Sequence, residues 1–196
     1  LEAMEEGQVT VDGETHALPE PFVVIATQNP VESDGTFELP AAQTDRFIIK
    51  TSLGYPDRAG TLDLLNRRAM RNTSSPTVEQ VCTQADLDTL RTAPESVHME
   101  SAVTEYLADI GRATRDDDRV DAGVSPRGLQ RLFEAVRSQA VVAGRSYVTP
   151  DDIRRLAPAI LAHRIVVTPD ARVDGVTPNE IVDDILAAEP VPQLSA

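Results

Sequence analysis

Three residues of this 196-residue chain have types and positions suited to gripping an anion: Asn29, Arg46 and Arg127. Asn29 ends the stretch Phe22-Val-Val-Ile-Ala-Thr-Gln-Asn29-Pro30. A short apolar run with polar punctuation reads as a strand buried on both faces, as in a parallel sheet. Open α/β sheets place ligand chemistry at the C-terminal ends of such strands. Pro30 cannot continue a central strand and pushes Asn29 towards an extended or turn conformation. The carboxamide then either faces a crevice or caps the next turn. Arg46 follows a short helix opened by Pro40 at its first position and precedes a second short strand, Phe47–Thr51. There it is a cation favoured by the helix C-terminal dipole, a partner for Asp45, or an arginine held out to a phosphate. Arg127 sits in the first turn of a helix capped by Ser125 with Pro126 at N1. The macrodipole disfavours a cation there by about 0.3–1 kcal/mol. A compensating contact is needed, either a nearby acid such as Asp121 or an anionic ligand.

The elements that must position these residues follow in order. Leu1-Glu-Ala-Met-Glu-Glu-Gly7 reads as the last two turns of a helix, with Gly7 as its stop. With no initiator Met, this implies that residues N-terminal to Leu1 are missing. Residues 8–18 alternate around Asp12-Gly13, a two-residue hairpin signal, because both central positions of a type I′ turn need positive φ. Val31 to Leu39 reads as a polar loop. From Tyr55-Pro56 onward the pattern is helical: Asp57–Arg71, a linker at Thr73–Thr77, Thr83–Ala93, and Glu100–Arg115 with Val103, Leu107 and Ile110 on one face. Arg115-Asp-Asp-Asp-Arg119 reads as a solvated loop. Ser125-Pro126, Thr149-Pro150 and Thr177-Pro178 each place a hydroxyl at the N-cap and proline at N1. Ile165–Val167 is a candidate short strand.

The composition narrows the function classes. A formal net charge of −14 opposes non-specific binding to nucleic acid, which needs a basic face. No apolar stretch approaches the ~20 residues of a membrane span. One cysteine, Cys82, excludes an internal disulfide and a cysteine-based zinc site. His16, His98 and His163 are scattered without ligand spacing, and no metal site is read from them.

Six stretches together resemble the C-terminal two-thirds of a MoxR-type AAA+ ATPase. They are Leu1 to Val11, Ala26-Thr-Gln-Asn-Pro30, Ala42-Gln-Thr-Asp-Arg-Phe47, Ser125-Pro-Arg127, Gly144-Arg-Ser-Tyr-Val-Thr-Pro-Asp-Asp152 and Leu161-Ala-His-Arg164. The resemblance implies an α/β plus all-α fold. Residues 1–53 would be the C-terminal part of a parallel-sheet ATPase core, with a hairpin at 8–18, a sensor 1 strand at 22–29, and the arginine-finger helix and strand at 40–51. Residues 54–188 would be a helical lid and 189–196 a tail. It implies Asn29 as sensor 1, Arg46 as an arginine finger acting in trans, and Arg127, presented by Pro126, as sensor 2. It further implies ATP and Mg2+, a homo-oligomeric ring that is usually a hexamer, protein clients, a partner with a von Willebrand factor A domain, and a cytoplasmic setting. No Gly-Lys-Ser/Thr phosphate loop and no strand ending in an acidic pair occurs in the sequence, so the chain alone is expected to be inactive.

The competing readings are a non-catalytic interaction module and a DNA-handling AAA+ motor, the latter opposed by the acidic charge. Lys50 is the only lysine, and an acidic, lysine-poor surface implies a high-salt cytoplasm. The melting temperature is accordingly expected to rise from low to molar KCl; unchanged stability across that series would remove the inference.

Overall fold

A computed structural model describes residues 2–28, 40–71 and 78–193. Leu1, Asn29, Pro30, the loop 31–39, the linker 73–77 and the end of the tail lie outside the described residues. Helix α1 (Glu2–Glu5) stops at Gly7, whose φ of +62° is the left-handed stop expected there. Strands β1 (Gln8–Val11) and β2 (Glu14–Ala17) pair antiparallel, Val11 opposite Glu14. Asp12 and Gly13 take φ of 52° and 85°, as the type I′ turn requires. Glu2 ties hairpin to helix, accepting from the Thr10 hydroxyl at 2.7 Å and the Thr10 amide at 3.2 Å.

Two strand expectations differ from what is observed. Phe22 to Gln28 pairs with no strand among the described residues, and Val23 and Ile25 are 74% and 87% exposed. A strand buried on both faces exists only between neighbours, and the described residues supply none. Phe47–Thr51 is likewise not a strand. After the short helix α2 (Ala41–Thr44), this segment lies against the helical domain instead: the Lys50 amide donates to the Ala159 carbonyl at 2.9 Å. The carbonyls of Phe47 and Ile48 accept from side chains of that domain, so the ladder bonds go elsewhere.

Helices α3 (Arg58–Met70) and α4 (Gln84–Thr92) form because their ends are well capped. Asp57 accepts from the Gly60 amide at 2.7 Å, and Thr83 with Asp86 makes a complete capping box. Neither helix buries a residue.

The core lies between Val97 and Leu186. Helix α5 (Ser101–Asp116) contributes Val103, Leu107 and Ile110, as their spacing predicts. Helix α6 (Pro126–Val142) contributes Leu132, Val136 and Ala140, and α7 (Pro150–Leu161) contributes Ile153, Ala157 and Ile160. Each set repeats at three or four residues, so each is one buried stripe. Fully burying each Leu or Ile contributes about 1.5–3 kcal/mol. A Cβ on Gly111 would meet Leu129 at 2.4 Å, so α5 and α6 approach closely only because that position is bare. Strand β3 (Val120–Ala122) pairs antiparallel with β4 (Val166–Val167), and α8 (Pro169–Val173) and α9 (Pro178–Ala188) close the domain. The 115–119 stretch is more than a solvated loop. Arg119 donates to both Asp117 oxygens at 3.0 and 2.8 Å and to Asp184 on α9 at 2.7 Å. No helix among the described residues is long and apolar enough to cross a membrane.

The Gly144–Asp152 stretch explains itself structurally. Gly144 ends α6 at φ +70°. Arg145 then turns back to grip both oxygens of Asp152, at 2.6 and 2.9 Å, while Asp152 completes the capping box of Thr149. Burial would raise the Asp152 pKa, but the bonds from Arg145 and Thr149 outweigh it and hold the carboxyl below the usual carboxylate range. A depressed native value means this contribution is complete above the ordinary aspartate range and is lost as pH falls through the native one. Asp152→Asn should cost about 2 kcal/mol in urea unfolding at pH 7, discounted because Arg145 is partly exposed. Its stability should also fall less steeply in acid than the parent's; an unchanged midpoint at pH 7 would refute the assignment.

Candidate functional site

Arg46 and Arg127 converge on one carboxylate. Arg46 Nη2 lies 3.0 Å from Glu5 Oε2, and Arg127 Nη1 lies 3.5 Å from Glu5 Oε1. The hairpin-side helix α1, the turn after α2, and the first turn of α6 therefore meet at this point. Neither sequence-near acid is the partner: Arg46 does not pair with Asp45, nor Arg127 with Asp121. Arg127 is held at the start of α6 by the Ser125 cap, whose Oγ accepts from the Gly128 amide at 3.1 Å, and by Pro126, which lacks an amide proton to lose. Glu5 supplies the contact that a cation at a helix N-terminus requires, though Arg127 keeps half of its side-chain surface in water. Asn29 lies outside the described residues, so its position relative to the pair is not part of this geometry.

Behind Arg46 stands a second, buried charge. The side chain of Arg164, in the 3₁₀ turn that follows α7, is 2% exposed. Its Nε donates to Asp45 Oδ1 at 2.8 Å, its Nη2 to the carbonyls of Asp45 and Phe47 at 2.9 and 2.7 Å, and its Nη1 to the Ile48 and Ile160 carbonyls. Burial lowers the Arg164 pKa and the Asp45 carboxylate opposes it. A guanidinium remains charged regardless. His163 adjoins it, with Nε2 3.1 Å from the Phe47 carbonyl and 2.7 Å from Arg164 Nη1, while its Nδ1 is buried without a partner among the described residues. Burial, then the neighbouring Arg164, push the His163 pKa down. A cleft of about 150 Å³ opens beside these groups, lined by Asp45, Ser125, His163 and Arg164 among others. A larger hollow of about 290 Å³ runs along α3, lined among the described residues by Leu64, Arg67, Arg68 and Arg71.

The donor set suits a phosphate group. Two planar forks face one acceptor carrying a single negative charge, so an oxyanion with more charge and more lone pairs would satisfy them better. The same residues do not suit a divalent metal: among the described residues no three His, Cys, Asp or Glu are placed to hold one. Sequence reasoning singled out both arginines but neither Glu5 nor Arg164 by role. The only sequence signal for those two was membership of the Leu1–Val11 and Leu161–Arg164 stretches.

Comparison with known proteins bears on the family and the fold. Residues 1–49 match the family described as "ATPase family associated with various cellular activities (AAA)", and residues 112–185 match "AAA lid domain". The chain is 34% identical over 205 residues to Chaperone MoxR1 of Mycobacterium tuberculosis, covering 100% of this chain and 54% of that protein. It belongs to the MoxR-type AAA+ ATPase family. It is also 44% identical over 194 residues to uncharacterized protein YeaC of Bacillus subtilis, covering 98% of this chain and 60% of that one. A solved structure of a candidate ATPase from Cytophaga hutchinsonii superposes with a TM-score of 0.89 at 31% identity, covering 98% of this chain and 61% of that one. The C-terminal AAA+ core and helical lid expected from the sequence are thereby borne out as the fold. The chain spans 54–61% of the length of these relatives.

If Glu5 occupies the place of an oxyanion, Glu5→Gln should bind inorganic pyrophosphate several-fold more tightly than the parent chain. Calorimetric titration of the two at equal ionic strength checks this, and equal affinities would show that the carboxylate does not compete.

Proposed function

We propose that this chain forms part of a ring-forming ATPase in which Arg46 and Arg127 reach the phosphates of ATP. The observation that supports this is their convergence on Glu5, at 3.0 and 3.5 Å, from separate elements. Phosphoryl transfer leaves little covalent work to the protein, so catalysis is mostly positioning and stabilisation of developing negative charge. Arg46 supplies a permanently charged fork as the arginine finger, acting on the nucleotide of a neighbouring subunit. Because Arg127 meets it at the same carboxylate, both serve one phosphate group, and Arg127 then belongs to the same subunit boundary. Asn29, by family resemblance, orients the attacking water as sensor 1. ATP with Mg2+ supplies the phosphoryl group and the metal charge. The described residues fit the phosphate, and the metal ligands and phosphate loop would come from segments that the longer relatives contain.

In this reading, residues 1–53 belong to the ATPase core, 54–188 to the lid and 189–196 to a tail, supported by the two matched families and by a buried core that, among the described residues, runs from Val97 to Leu186. The chain works in the cytoplasm as one protomer of a homo-oligomeric ring, taken as a hexamer. Turnover there drives chaperone-like maturation, assembly or cofactor insertion of client proteins, with a von Willebrand factor A domain protein as partner. The name of the mycobacterial relative, Chaperone MoxR1, supports the class of work.

The test uses the intact ring. Arg46→Ala should lower ATP turnover by about 10³ or more while sparing nucleotide binding, the size expected for an in-trans arginine. Arg127→Ala should weaken nucleotide binding or slow turnover. Normal turnover in assembled Arg46→Ala rings would end the finger assignment, and normal affinity with normal rate would remove Arg127 from the site.

A further inference from the structure

We propose that Arg164 is the positioning residue of Arg46: from the lid it grips the main chain on both sides of that arginine and so fixes where its guanidinium points. This rests on the phosphate-contacting reading of Arg46 given above.

The geometry is one-sided in a telling way. Of the acceptors facing Arg164, Asp45 Oδ1 and the Asp45 carbonyl precede Arg46, and the Phe47 and Ile48 carbonyls follow it. Only Ile160 and the ring of His163 belong to the lid's own chain. A side chain buried to 2% exposure thus directs most of its donors at three residues flanking Arg46, which lie more than 110 positions earlier. Residues 45–48 form neither helix nor strand; the Arg46 and Phe47 amides donate to the Gln43 and Thr44 carbonyls at 3.3 and 3.1 Å, and the carbonyls of 45, 47 and 48 are left for Arg164. The clamp ties that turn to the helical domain. The Lys50 amide bond to Ala159 extends it by two residues.

Room for the clamp is built next to the second arginine. A Cβ on Gly128, directly after Arg127, would come 2.8 Å from Arg164 Cδ and 2.8 Å from Val124 Cγ1. The glycine therefore lets the Arg164 stem pass beneath the first turn of α6. Arg127 rides on that turn, so one buried side chain references both phosphate-directed arginines to the same part of the lid. Lysine could not replace it: a point charge with three donors cannot span acceptors before and after Arg46 at once.

The experiment is a double-mutant cycle on the 196-residue chain, read by calorimetric titration with inorganic pyrophosphate. Arg164→Lys should weaken binding about tenfold, the scale of one displaced charge-assisted contact, and should weaken it little further in an Arg46→Lys background. An equal loss in both backgrounds, or no loss, would overturn the positioning role. If Arg164→Lys does not fold, judged by circular dichroism, Gly128→Ala takes its place, with a smaller loss that again vanishes when Arg46 is lysine. A parent chain that does not bind pyrophosphate counts against the phosphate reading alone. The Arg46 Nε–H resonance, assigned by its disappearance in Arg46→Lys, then decides: it should move towards the exposed-arginine position when Arg164 or Gly128 is changed, and an unmoved resonance would overturn the proposal.

Discussion

The architecture turns on one desolvated cation. Taking a guanidinium out of water costs several kcal/mol unless its donors are matched, and removing a partner from a buried pair is worse than never having formed it. Arg164 meets that condition only while residues 45–48 stay against the 3₁₀ turn after α7. Peeling the segment away would strand the charge and expose three carbonyls together. The segment and the helical domain therefore form one cooperative unit, although 45–48 has no regular structure. Arg46 inherits its placement from that unit, and Arg127 inherits its own from the neighbouring turn of α6. The two arginines meet at Glu5 because both are referenced to the same buried group.

What could be read from the sequence was local. The three hydroxyl–proline starts at Ser125, Thr149 and Thr177 all cap helices, since an N-cap and a fixed φ at N1 act within one turn. Thr168-Pro169 carries the same signature and opens α8, with Thr168 accepting from the Ala171 amide. The Asp12-Gly13 hairpin followed from positive φ alone. Strands depend on partners far away in the chain, and that is where reading failed. The apolar run at 22–26 and the run at 47–49 look alike as strings. The second is held by side chains of the lid, which no periodicity announces.

The candidate site divides the same way. Arg127 was conspicuous because a cation at a helix N-terminus is wrong-signed for the dipole, and Arg46 because it ends a helix at a junction. Their common partner could not be read, because an ion pair is decided by distance in space. Asp45 and Asp121 were the acids close in sequence; Asp45 is taken by Arg164, and Glu5 comes from the other end of the chain. The Gly144–Asp152 stretch carries family resemblance for a structural reason: its contacts are a left-handed stop, a bidentate ion pair and a capping box.

The charge of the whole chain bears on how such a site would work. With −14 overall, the long-range field disfavours the approach of any polyphosphate. Attraction must come from within a few ångströms, from forks already aimed at one point. Short contacts of that kind suffer less from added salt than the distant repulsion does, since the Debye length falls from about 10 Å at 0.1 M to about 3 Å at 1 M. Salt therefore removes the opposing field first and leaves the aligned guanidiniums. In an acidic chain, preorganisation of Arg46 and Arg127 by a buried neighbour is then what makes an anion site workable, because net charge contributes nothing to it.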